Sequence, residues 1–315
     1  MASLNDVNSK IINMLFVAAL TLPSVACTST DHAMEVQSHN AQLSVATWNV
    51  EHLAYPIDQG CKPRTETQIN AMRDYVERVN ADIFALQEVA SQDAVRLLFP
   101  ADEWQVFMSP RPDSEPYICR GSGRESTQQK TAFAVKKSIV VNAFSPVSQL
   151  GLSSPGLRYG LEINVETTLG AISLLNVHMK SGCFVDNYRR SDSKACQAFA
   201  QQAPILDQWI EQKERKNEAY MVLGDFNHRL TAPYNHLTQA LFTLSDGSAA
   251  TLLNTTRNMI GCHPYYPAPI DMIFVGEMPL SRDKVMSLAS IAHDFDNMKP
   301  QEMLSDHCAV SLSIK

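Results

Sequence analysis

Short apolar runs separated by polar turns dominate the chain, and most of them are too short or too regularly alternating for helices. Two segments have helical spacing instead, residues 68–79 and residues 195–213, and Pro204 in the second predicts a kink or a break. Residues 167–170 predict the turn of a hairpin. The predicted strands are residues 43–48, 82–86, 104–108, 131–136, 159–166, 171–178, 220–224, 268–275 and 307–314.

Strands outnumber helices along the chain, and they do not alternate with helices in a regular way. A short helix at residues 92–98 and a short apolar run at residues 139–141 do not change this pattern. The pattern favours an α+β fold in which two packed, largely antiparallel sheets are covered by helices. We expect one domain over residues 41–315.

Composition allows a large core and excludes some classes of protein. The chain has 315 residues, of which 45% are hydrophobic, and no repeat or long low-complexity tract. A formal net charge of -7 excludes a strongly basic nucleic-acid binder. It does not exclude a nuclease, because a local basic groove can exist on an acidic protein. Basic residues do cluster in one part of the sequence, either as a phosphate groove or as a solvated surface: Arg111, Arg120, Arg124, Lys130, Lys136, Lys137 and Arg158.

The N-terminus resembles an export signal. Lys10 precedes a mostly apolar run at residues 11–22, which is too short to span a membrane, and the small residues Ser24 and Ala26 follow. We therefore predict a signal peptide over residues 1–26 and a flexible leader over residues 27–40. The product is then secreted or periplasmic, or a lipoprotein anchored through Cys27. No other segment of the sequence is predicted to cross a membrane.

Export changes the interpretation of the cysteines. The chain has seven cysteines, and without Cys27 an even number remains. In an oxidising compartment this favours disulfides, although six cysteines allow fifteen pairings. The preferred set is Cys61–Cys119, Cys183–Cys196 and Cys262–Cys308, in which the second pair closes a short polar loop. Zinc is not expected, because no Cys-x-x-Cys or Cys-x-x-His spacing occurs.

Polar residues with hydrolytic chemistry follow several of the apolar runs. Asp225 and Asn227 are two residues apart, so on an extended backbone their side chains point the same way. Asp306 and His307 are adjacent at the start of the last run, which lets one hold a metal while the other faces a water. Any single residue of this kind also fits an ordinary hydrogen-bonding role at a strand end. The others in the series are Asn49, Glu51, Glu88 and His178.

Six ordered motifs resemble the endonuclease/exonuclease/phosphatase superfamily. This resemblance covers the chain from residue 43 to its end. It implies a four-layer α/β/β/α sandwich of two mixed sheets, an active site at one edge of the paired sheets, and a divalent metal, usually Mg²⁺. The motifs are Thr47-Trp48-Asn49-Val50-Glu51, Ala85-Leu86-Gln87-Glu88-Val89, Asn176-Val177-His178-Met179-Lys180-Ser181, Gly224-Asp225-Phe226-Asn227, Pro269-Ile270-Asp271-Met272-Ile273 and Ser305-Asp306-His307.

Phosphodiester chemistry requires the same residue types. A hard cation held by oxygens neutralises the phosphate and polarises it. Glu88 is the expected principal ligand of Mg²⁺, with Mn²⁺ as the alternative, and the shell is completed or supported by Glu51, Asn49 and Asp306.

A water must also lose a proton. His307 is the expected base and Asp271 its partner, since a buried carboxylate needs a hydrogen-bond donor. Asp225 and Asn227 would orient the water and bind phosphoryl oxygens. Some members of the superfamily are argued to use the residue at the Asp225 position as the base, and the sequence leaves this open.

Three further residues are expected to contact the substrate phosphate. His178 should donate a hydrogen bond to a non-bridging oxygen. Arg158 aligns with an arginine of the superfamily that contacts phosphate, and Gln129 aligns with a polar residue near the scissile group. The remaining histidines show no metal spacing and are assigned to the surface: His32, His39, His52, His228, His236, His263 and His293.

These features predict an exported metal-dependent phosphodiesterase, with DNA as the preferred substrate. The inositol phosphatases of the superfamily carry a Trp-Cys-Asp-Arg motif where this chain has Pro269-Ile270-Asp271-Met272. The absence of this motif counts against inositol phosphatase activity. The alternatives are a sphingomyelinase-like or small phosphate-ester hydrolase, and an inactive binding module. We expect a monomer without a stable protein partner.

Overall fold

Two six-stranded sheets form the centre of the fold. A computed structural model of the chain describes residues 43–262 and 267–314. The predicted signal peptide, Cys27, the leader, and His32, His39 and His263 lie outside the described residues. The described strands are β1 Leu43–Leu53, β2 Ile83–Val89, β3 Trp104–Met108, β4 Lys130–Lys136, β5 Val141–Val147, β6 Gly160–Thr167, β7 Gly170–His178, β8 Tyr220–Asp225, β9 Leu253–Asn254, β10 Asp271–Gly276, β11 Ser290–His293 and β12 Ala309–Ile314.

Five α-helices complete the described part of the chain. Apart from α3, they are short or of medium length and lie between strands. They are α1 Glu66–Val79, α2 Gln92–Arg96, α3 Lys194–Lys216, α4 His236–Leu241 and α5 Arg282–Met286.

The two sheets have the same internal plan. The first has the strand order β11-β12-β1-β2-β4-β3, and the second has the order β5-β6-β7-β8-β10-β9. In each sheet one parallel pair lies at the centre, β1 with β2 and β7 with β8, and its flanking strands run antiparallel. Both sheets are therefore mixed, and the predicted α+β four-layer sandwich is confirmed.

Strand side chains alternate between the sandwich interior and the helix layers. Val45 and Ile83 of the first sheet and Leu174 and Ile273 of the second are fully buried between the sheets. Their neighbours, such as Trp48, face the outer layer with α1. Burying an aliphatic or aromatic side chain of this size contributes roughly 1.5–3 kcal/mol, so both faces of each sheet stabilise the fold.

The first helix follows from its sequence. Thr65 caps its N-terminus in a capping box with Gln68, and Asn80 ends it in the left-handed conformation. The apolar positions that predict the helix, from Ile69 to Val79, form its buried face.

The long helix corrects one prediction. α3 runs without interruption from Lys194 to Lys216 and includes Pro204, so the predicted break at this residue is wrong. Pro204 is exposed, whereas Phe199 and Leu206 on either side of it are fully buried in the second sheet's outer core. This packing holds both halves of the helix in place despite the lost hydrogen bond.

Other differences concern strand ends. β1 extends past residue 48 to Leu53, and β10 begins only at Asp271 because Pro269 cannot donate to a sheet ladder. Three described strands are not predicted: β9, β11 and, at the edge of the second sheet, β5. The side chains of β5 are mostly exposed, which is why no alternating apolar pattern predicts it.

All three preferred disulfides form. Cys61 pairs with Cys119, Cys183 with Cys196, and Cys262 with Cys308. The first joins two loops that are far apart in the sequence, and the second joins a loop to the first turn of α3. The third joins the loop before β10 to the residue after His307. Within the described residues, none of the helices has the length and apolarity needed to span a bilayer.

Candidate active site

The sheet plan brings the candidate residues to one edge of the sandwich. The carboxyl ends of the parallel pairs β1/β2 and β7/β8 lie at this edge, as do the starts of their antiparallel neighbours β4, β6, β10 and β12. Every predicted site residue lies on one of these ends or in the loop beside it: Asn49, Glu51, Glu88, Gln129, Arg158, His178, Asp225, Asn227, Asp271, Asp306 and His307.

His307 and Asp271 form a tight pair. His307 Nδ1 lies 2.7 Å from Asp271 Oδ2. The backbone N–H of His307 donates to Ser305 Oγ at 3.1 Å, and Ser305 Oγ donates to the carbonyl of Asn49 at 2.7 Å. Trp48 Nε1 donates to the His307 carbonyl. Because these bonds fix the backbone, the imidazole keeps its orientation beside Asp271.

The charge of His307 follows from this pairing. Burial alone would lower the pKa of His307, but the Asp271 and Asp225 carboxylates raise it well above the usual value. The imidazole of His307 therefore holds its proton more strongly than a free histidine does.

Asp225 lies at the centre of the site. Its Oδ2 is 3.5 Å from His178 Nε2 and 3.9 Å from His307 Nε2. Asn49 Nδ2 donates to Oδ2 at 3.1 Å, and Asn227 donates to both carboxylate oxygens through its backbone and side-chain N–H groups. Burial raises the pKa of Asp225 to about 7. A buried carboxyl with such a pKa can exchange a proton near neutral pH.

The second part of the site, which we call the Glu88 pole, consists of the Glu88 carboxylate and its basic neighbours. Its carboxylate lies 3.8 Å from His178 Nε2, 3.8 Å from Arg158 Nη2 and 3.6 Å from His52 Nε2. Burial would raise the pKa of Glu88, but the basic neighbours His178, Arg158 and His52 act to lower it. Arg158 is the one of these three that always carries its charge. Glu88 therefore remains ionised at neutral pH.

His178 differs from His307 although both face Asp225. Burial lowers the pKa of His178 well below the usual value, and Arg158 acts in the same direction. Its Nδ1 is buried and has no hydrogen-bond partner among the described residues. The neighbouring Asn176 instead joins the two sheets, since its Nδ2 donates to the carbonyls of Leu86 and Ala132. His178 is therefore a neutral N–H donor at the surface of the site.

Two functional candidates were missed by the sequence reasoning. His52 was assigned to the surface, but its side chain is only 16% exposed, and its backbone N–H donates to Glu88 Oε2. Its ring nitrogen contacts Gln129 Nε2 at 3.1 Å, and Gln129 Oε1 accepts from Arg158 at 2.6 Å. Lys62 was also missed, and it pairs with Glu51 at 2.9 Å. The position of His52 directly after Glu51 was the available indication.

One other histidine assignment is wrong. His228 is 1% exposed, and its Nδ1 lies 2.8 Å from the carbonyl of Cys183. Asn235 Nδ2 lies 3.1 Å from its other ring nitrogen. His228 thus connects the loops that contain Cys183 and Asn235, and it is buried rather than at the surface. His236 and His293 are half-buried.

The predicted metal ligands Glu88, Glu51 and Asp306 are neighbours at one end of the site. The backbone N–H of Asp306 donates to Glu51 Oε2 at 3.1 Å, and Asn49 Nδ2 lies 3.4 Å from Glu88 Oε1. Among the described residues these three carboxylates do not bring their ligand atoms within 4.8 Å of one another, and Glu51 already pairs with Lys62. Asp225, Asp271 and His307 do meet this distance, with one ligand atom from each residue. Imidazole nitrogen suits Mg²⁺ less well than carboxylate oxygen.

A third acidic group is not a metal site. Cys262, Asp294 and Cys308 lie close together, but their two sulfur atoms form a disulfide. A disulfide sulfur lacks the thiolate that binds metals.

Comparisons with known proteins agree with this architecture. The profile of the endonuclease/exonuclease/phosphatase family matches residues 46–307. The chain belongs to this family. Family members are metal-dependent hydrolases that act on phosphodiester bonds. A search of curated protein sequences returns no match.

Solved structures share the fold at low sequence identity. Truncated TDP2 from Caenorhabditis elegans is 16% identical, with a TM-score of 0.56, and the match covers 87% of this chain and 97% of that one. The human Nocturnin catalytic domain with bound sulfate is 15% identical, with a TM-score of 0.57 over 86% and 92% of the chains. A family protein from Bacteroides thetaiotaomicron is 14% identical, with a TM-score of 0.54 over 86% and 94%. The family fold of two packed sheets is therefore confirmed.

Proposed function

We propose that this protein is an exported, divalent-metal-dependent phosphodiesterase that acts as a nuclease on DNA. One observation carries the proposal: the His307–Asp271 pair, Asp225 and Glu88 line the same edge of the sandwich. A hydrolase of a phosphate anion needs a cation site, a proton acceptor and hydrogen-bond donors within one cleft. These four side chains come from separate segments of the chain and provide each of these parts.

The metal site is proposed at the Glu88 pole. Glu88 would hold Mg²⁺, with Mn²⁺ as the alternative, and Glu51, Asn49 and Asp306 would complete or support the shell. The bound cation would neutralise the phosphate charge and polarise the phosphorus–oxygen bond. Asn49 also fixes the two poles relative to each other, since its amide faces both Glu88 and Asp225.

Asp225 is our proposed proton acceptor. It takes a proton from the attacking water, hydroxide adds to phosphorus, and the leaving oxygen departs with the bonding electrons and takes a proton from His307. The geometry supports this role because His307, held protonated by Asp271, is ready to donate rather than to accept. The sequence-based expectation of His307 as the base stays the alternative. It would require the bound metal to lower the pKa of His307.

The remaining polar residues are proposed to bind the phosphate. His178 would donate a hydrogen bond from Nε2 to a phosphate oxygen, and this nitrogen lies 3.5 Å from Asp225 Oδ2. Arg158 lies 3.8 Å from Glu88 Oε1 and donates to Gln129, so these two residues present further donors beside Glu88. Asn227 orients the water through its contacts to Asp225. Each of these donors can bind an oxygen that gains charge in the transition state.

DNA is proposed as the substrate on limited grounds. A zebrafish TDP2 structure that is similar in fold contains a single-stranded DNA product, with a TM-score of 0.57 and 14% identity. The basic cluster of the sequence gives little support, because Lys130 pairs with Asp113 and Lys136 pairs with Asp82. The sphingomyelinase-like or small-ester hydrolase and the inactive binding module therefore stay as outcomes of the test.

Export and monomeric state complete the proposal. Three disulfides support an oxidising compartment, since they are rare in the cytosol. A signal peptide and a lipid anchor at Cys27 are tested together by N-terminal sequencing and mass spectrometry of the exported protein. Light scattering measures the oligomeric state.

A metal-screened activity panel tests the function. We expect nicking of supercoiled plasmid with Mg²⁺ or Mn²⁺, abolished by EDTA and restored by adding metal. RNA, sphingomyelin vesicles and an inositol phosphate are assayed in parallel. Hydrolysis of a lipid or small ester with DNA untouched would reassign the substrate. DNA affinity without turnover in any metal would identify an inactive binding module.

A further inference from the structure

An apolar cavity opens directly beside His307 and Asp271. Its volume is about 270 Å³, near the lower end of ligand pockets that bind small molecules. Asp306, Asp271 and His307 form its inner wall, so it is continuous with the candidate active site. Its outer wall is mainly apolar and comes from two separate loops: Phe184, Met259, Ile260, Pro269 and Ile270.

Two of these apolar side chains are conspicuously exposed. Phe184 is 52% exposed and Ile260 is 75% exposed. Large apolar side chains that line a concave surface cost solubility, and they mark binding sites more often than isolated surface positions do.

Both loops are fixed from behind. Phe184 directly follows Cys183, which is held by the Cys196 disulfide and by the contact of its carbonyl with His228 Nδ1. Ile260 lies two residues before Cys262, which is joined to Cys308 beside His307. The cavity walls therefore have a defined position relative to His307, as a preformed binding site requires.

The positive charge of the Arg229 side chain indicates which kind of molecule the cavity binds. Arg229 lines the cavity and is exposed, and it makes no hydrogen bond or ion pair within residues 43–262 and 267–314. A free guanidinium favours an occupant with an attached phosphate. A nucleotide has an apolar planar base and a neighbouring phosphate, whereas an acyl chain has no charge and needs a longer channel. Nucleobases also stack well on exposed aromatic side chains such as Phe184.

We infer that this cavity is a nucleobase subsite, which takes the base next to the scissile phosphate on the His307 side. This inference rests on the proposed nuclease function and assigns it a contact with the substrate beyond the phosphate. Phe184 and Ile260 then act in substrate binding and positioning, and their loss affects KM more than kcat.

The test uses single-stranded hexanucleotides with one central phosphodiester, in which the other linkages are phosphorothioates. One substrate has all its bases, and two others carry a tetrahydrofuran spacer in place of the base on the 5′ or the 3′ side of the cleavable bond. The enzymes are the wild type, Phe184→Ala, Ile260→Ser and the matched control Val140→Ser. Val140 is 61% exposed and lies outside the cavity.

Removal of one of the two bases should lower wild-type kcat/KM about tenfold, on the scale of base–aromatic stacking. Phe184→Ala and Ile260→Ser should each lose a similar factor on the complete substrate, mainly in KM. They should lose little more on the affected abasic substrate, because the contact is already absent there. Val140→Ser should behave as the wild type. Equal losses on all three substrates, or no effect of removing either base, would overturn the subsite.

A second measurement separates the subsite from the nuclease function. Calorimetry in EDTA compares the binding of thymidine 5′-monophosphate and inorganic phosphate. The nucleotide should bind the wild type about tenfold more tightly than phosphate does, on the same stacking scale, and Phe184→Ala and Ile260→Ser should remove this difference. If no oligonucleotide is cleaved but this difference holds, the subsite stands and the nuclease assignment fails. Equal binding of the two ligands by the wild type would refute the subsite even in an active nuclease.

Discussion

The two flanks of Asp225 carry the same residue type in opposite states. On the β12 flank, His307 lies 2.7 Å from the Asp271 carboxylate, and its pKa is raised well above the usual value. On the β7 flank, the Nδ1 of His178 has no partner among the described residues, and the pKa of this histidine is lowered. Both imidazoles face Asp225, and the side chain of His178 is 2% exposed while that of His307 is 14% exposed.

This difference shows which interaction sets the charge of a buried histidine. Burial lowers the pKa of both residues, so desolvation alone would leave both neutral. At His307 the carboxylates of Asp271, Asp225 and Asp306 outweigh this effect, and Asp271 also does so through a hydrogen bond. The site therefore places a charged donor beside a neutral donor around one carboxyl group, and substitutions on either flank test this arrangement.

Loss of the charged flank should have the largest effect. His307→Ala should lower kcat/KM on plasmid DNA by about 10²- to 10⁴-fold, the range for a group that takes part in proton transfer. Asp271→Asn should have an effect of the same order, because an amide cannot hold the imidazolium. Plasmid nicking and circular dichroism measure activity and folding.

His293→Ala is the matched control for this flank. His293 lies in β11 and contacts Ser311 rather than the site. It should retain most of the activity. An active and folded His307→Ala variant would remove the basis of the proposed mechanism, while inactivity of the His293→Ala control would point to a general structural effect.

The neutral flank should contribute less. His178→Ala should lower kcat by about 10²- to 10³-fold with a small change in KM, as expected for loss of one donor to the transition state. His178→Gln keeps an amide N–H and should recover part of the loss. Single-turnover kinetics measures the chemical step. A change confined to KM would indicate ground-state binding instead, and the comparison between the flanks would fail.

The sequence predicts which polar residues the structure brings to this edge, but not their charge states. Motifs such as Gly224-Asp225-Phe226-Asn227 identify the residue types, and strand ends place them at one edge. The difference between His178 and His307 was not predictable, because it depends on distances between separate strands. The same holds for Glu51, whose pairing with Lys62 crosses a loop of the fold.

The fold likewise has parts that the sequence pattern predicts and parts that depend on tertiary contacts. Interior strands with several buried positions, such as β4 at Lys130–Lys136, are predicted to within one residue of their observed bounds. Edge strand β5 and short strand β9 have too few buried positions to leave a pattern. Pro204 predicts a break from local chemistry, but packing of α3 against the second sheet overrides it. Local pattern thus decides the interior strands, and tertiary contacts decide the rest.

Replacement of Glu88, the proposed metal ligand next to His178, tests the His178 flank of the site. Glu88→Gln removes one negative charge and should raise the Mg²⁺ concentration for half-maximal nicking by at least about 10- to 100-fold, the loss seen when a residue that supports a metal site is replaced. High Mg²⁺ should restore part of the activity. Asp113→Asn is the control, since Asp113 pairs with Lys130 away from the site. An unchanged metal requirement would exclude Glu88 as a ligand.

The smallest expected effect is on stability, where the two histidines should act on opposite sides of pH 6.5. His307 has a raised pKa in the folded state, so its stabilisation is complete below the unfolded value near 6.5 and is lost as the pH rises through the folded value. His178 has a lowered pKa, so its folded form binds fewer protons than the unfolded chain. Its contribution is complete above pH 6.5 and is lost as the pH falls.

Thermal denaturation in EDTA between pH 5 and pH 9 measures these contributions. His307→Gln should flatten the fall of Tm above pH 6.5, and His178→Gln should flatten the fall below it. A tenfold difference in proton affinity between the folded and unfolded states corresponds to about 1.4 kcal/mol, or roughly 2–4 °C for a domain of this size. His293→Gln serves as the matched control for replacing a half-buried histidine. If both site variants flatten the same limb of the curve, the two imidazoles share one charge state and the contrast between the flanks is wrong.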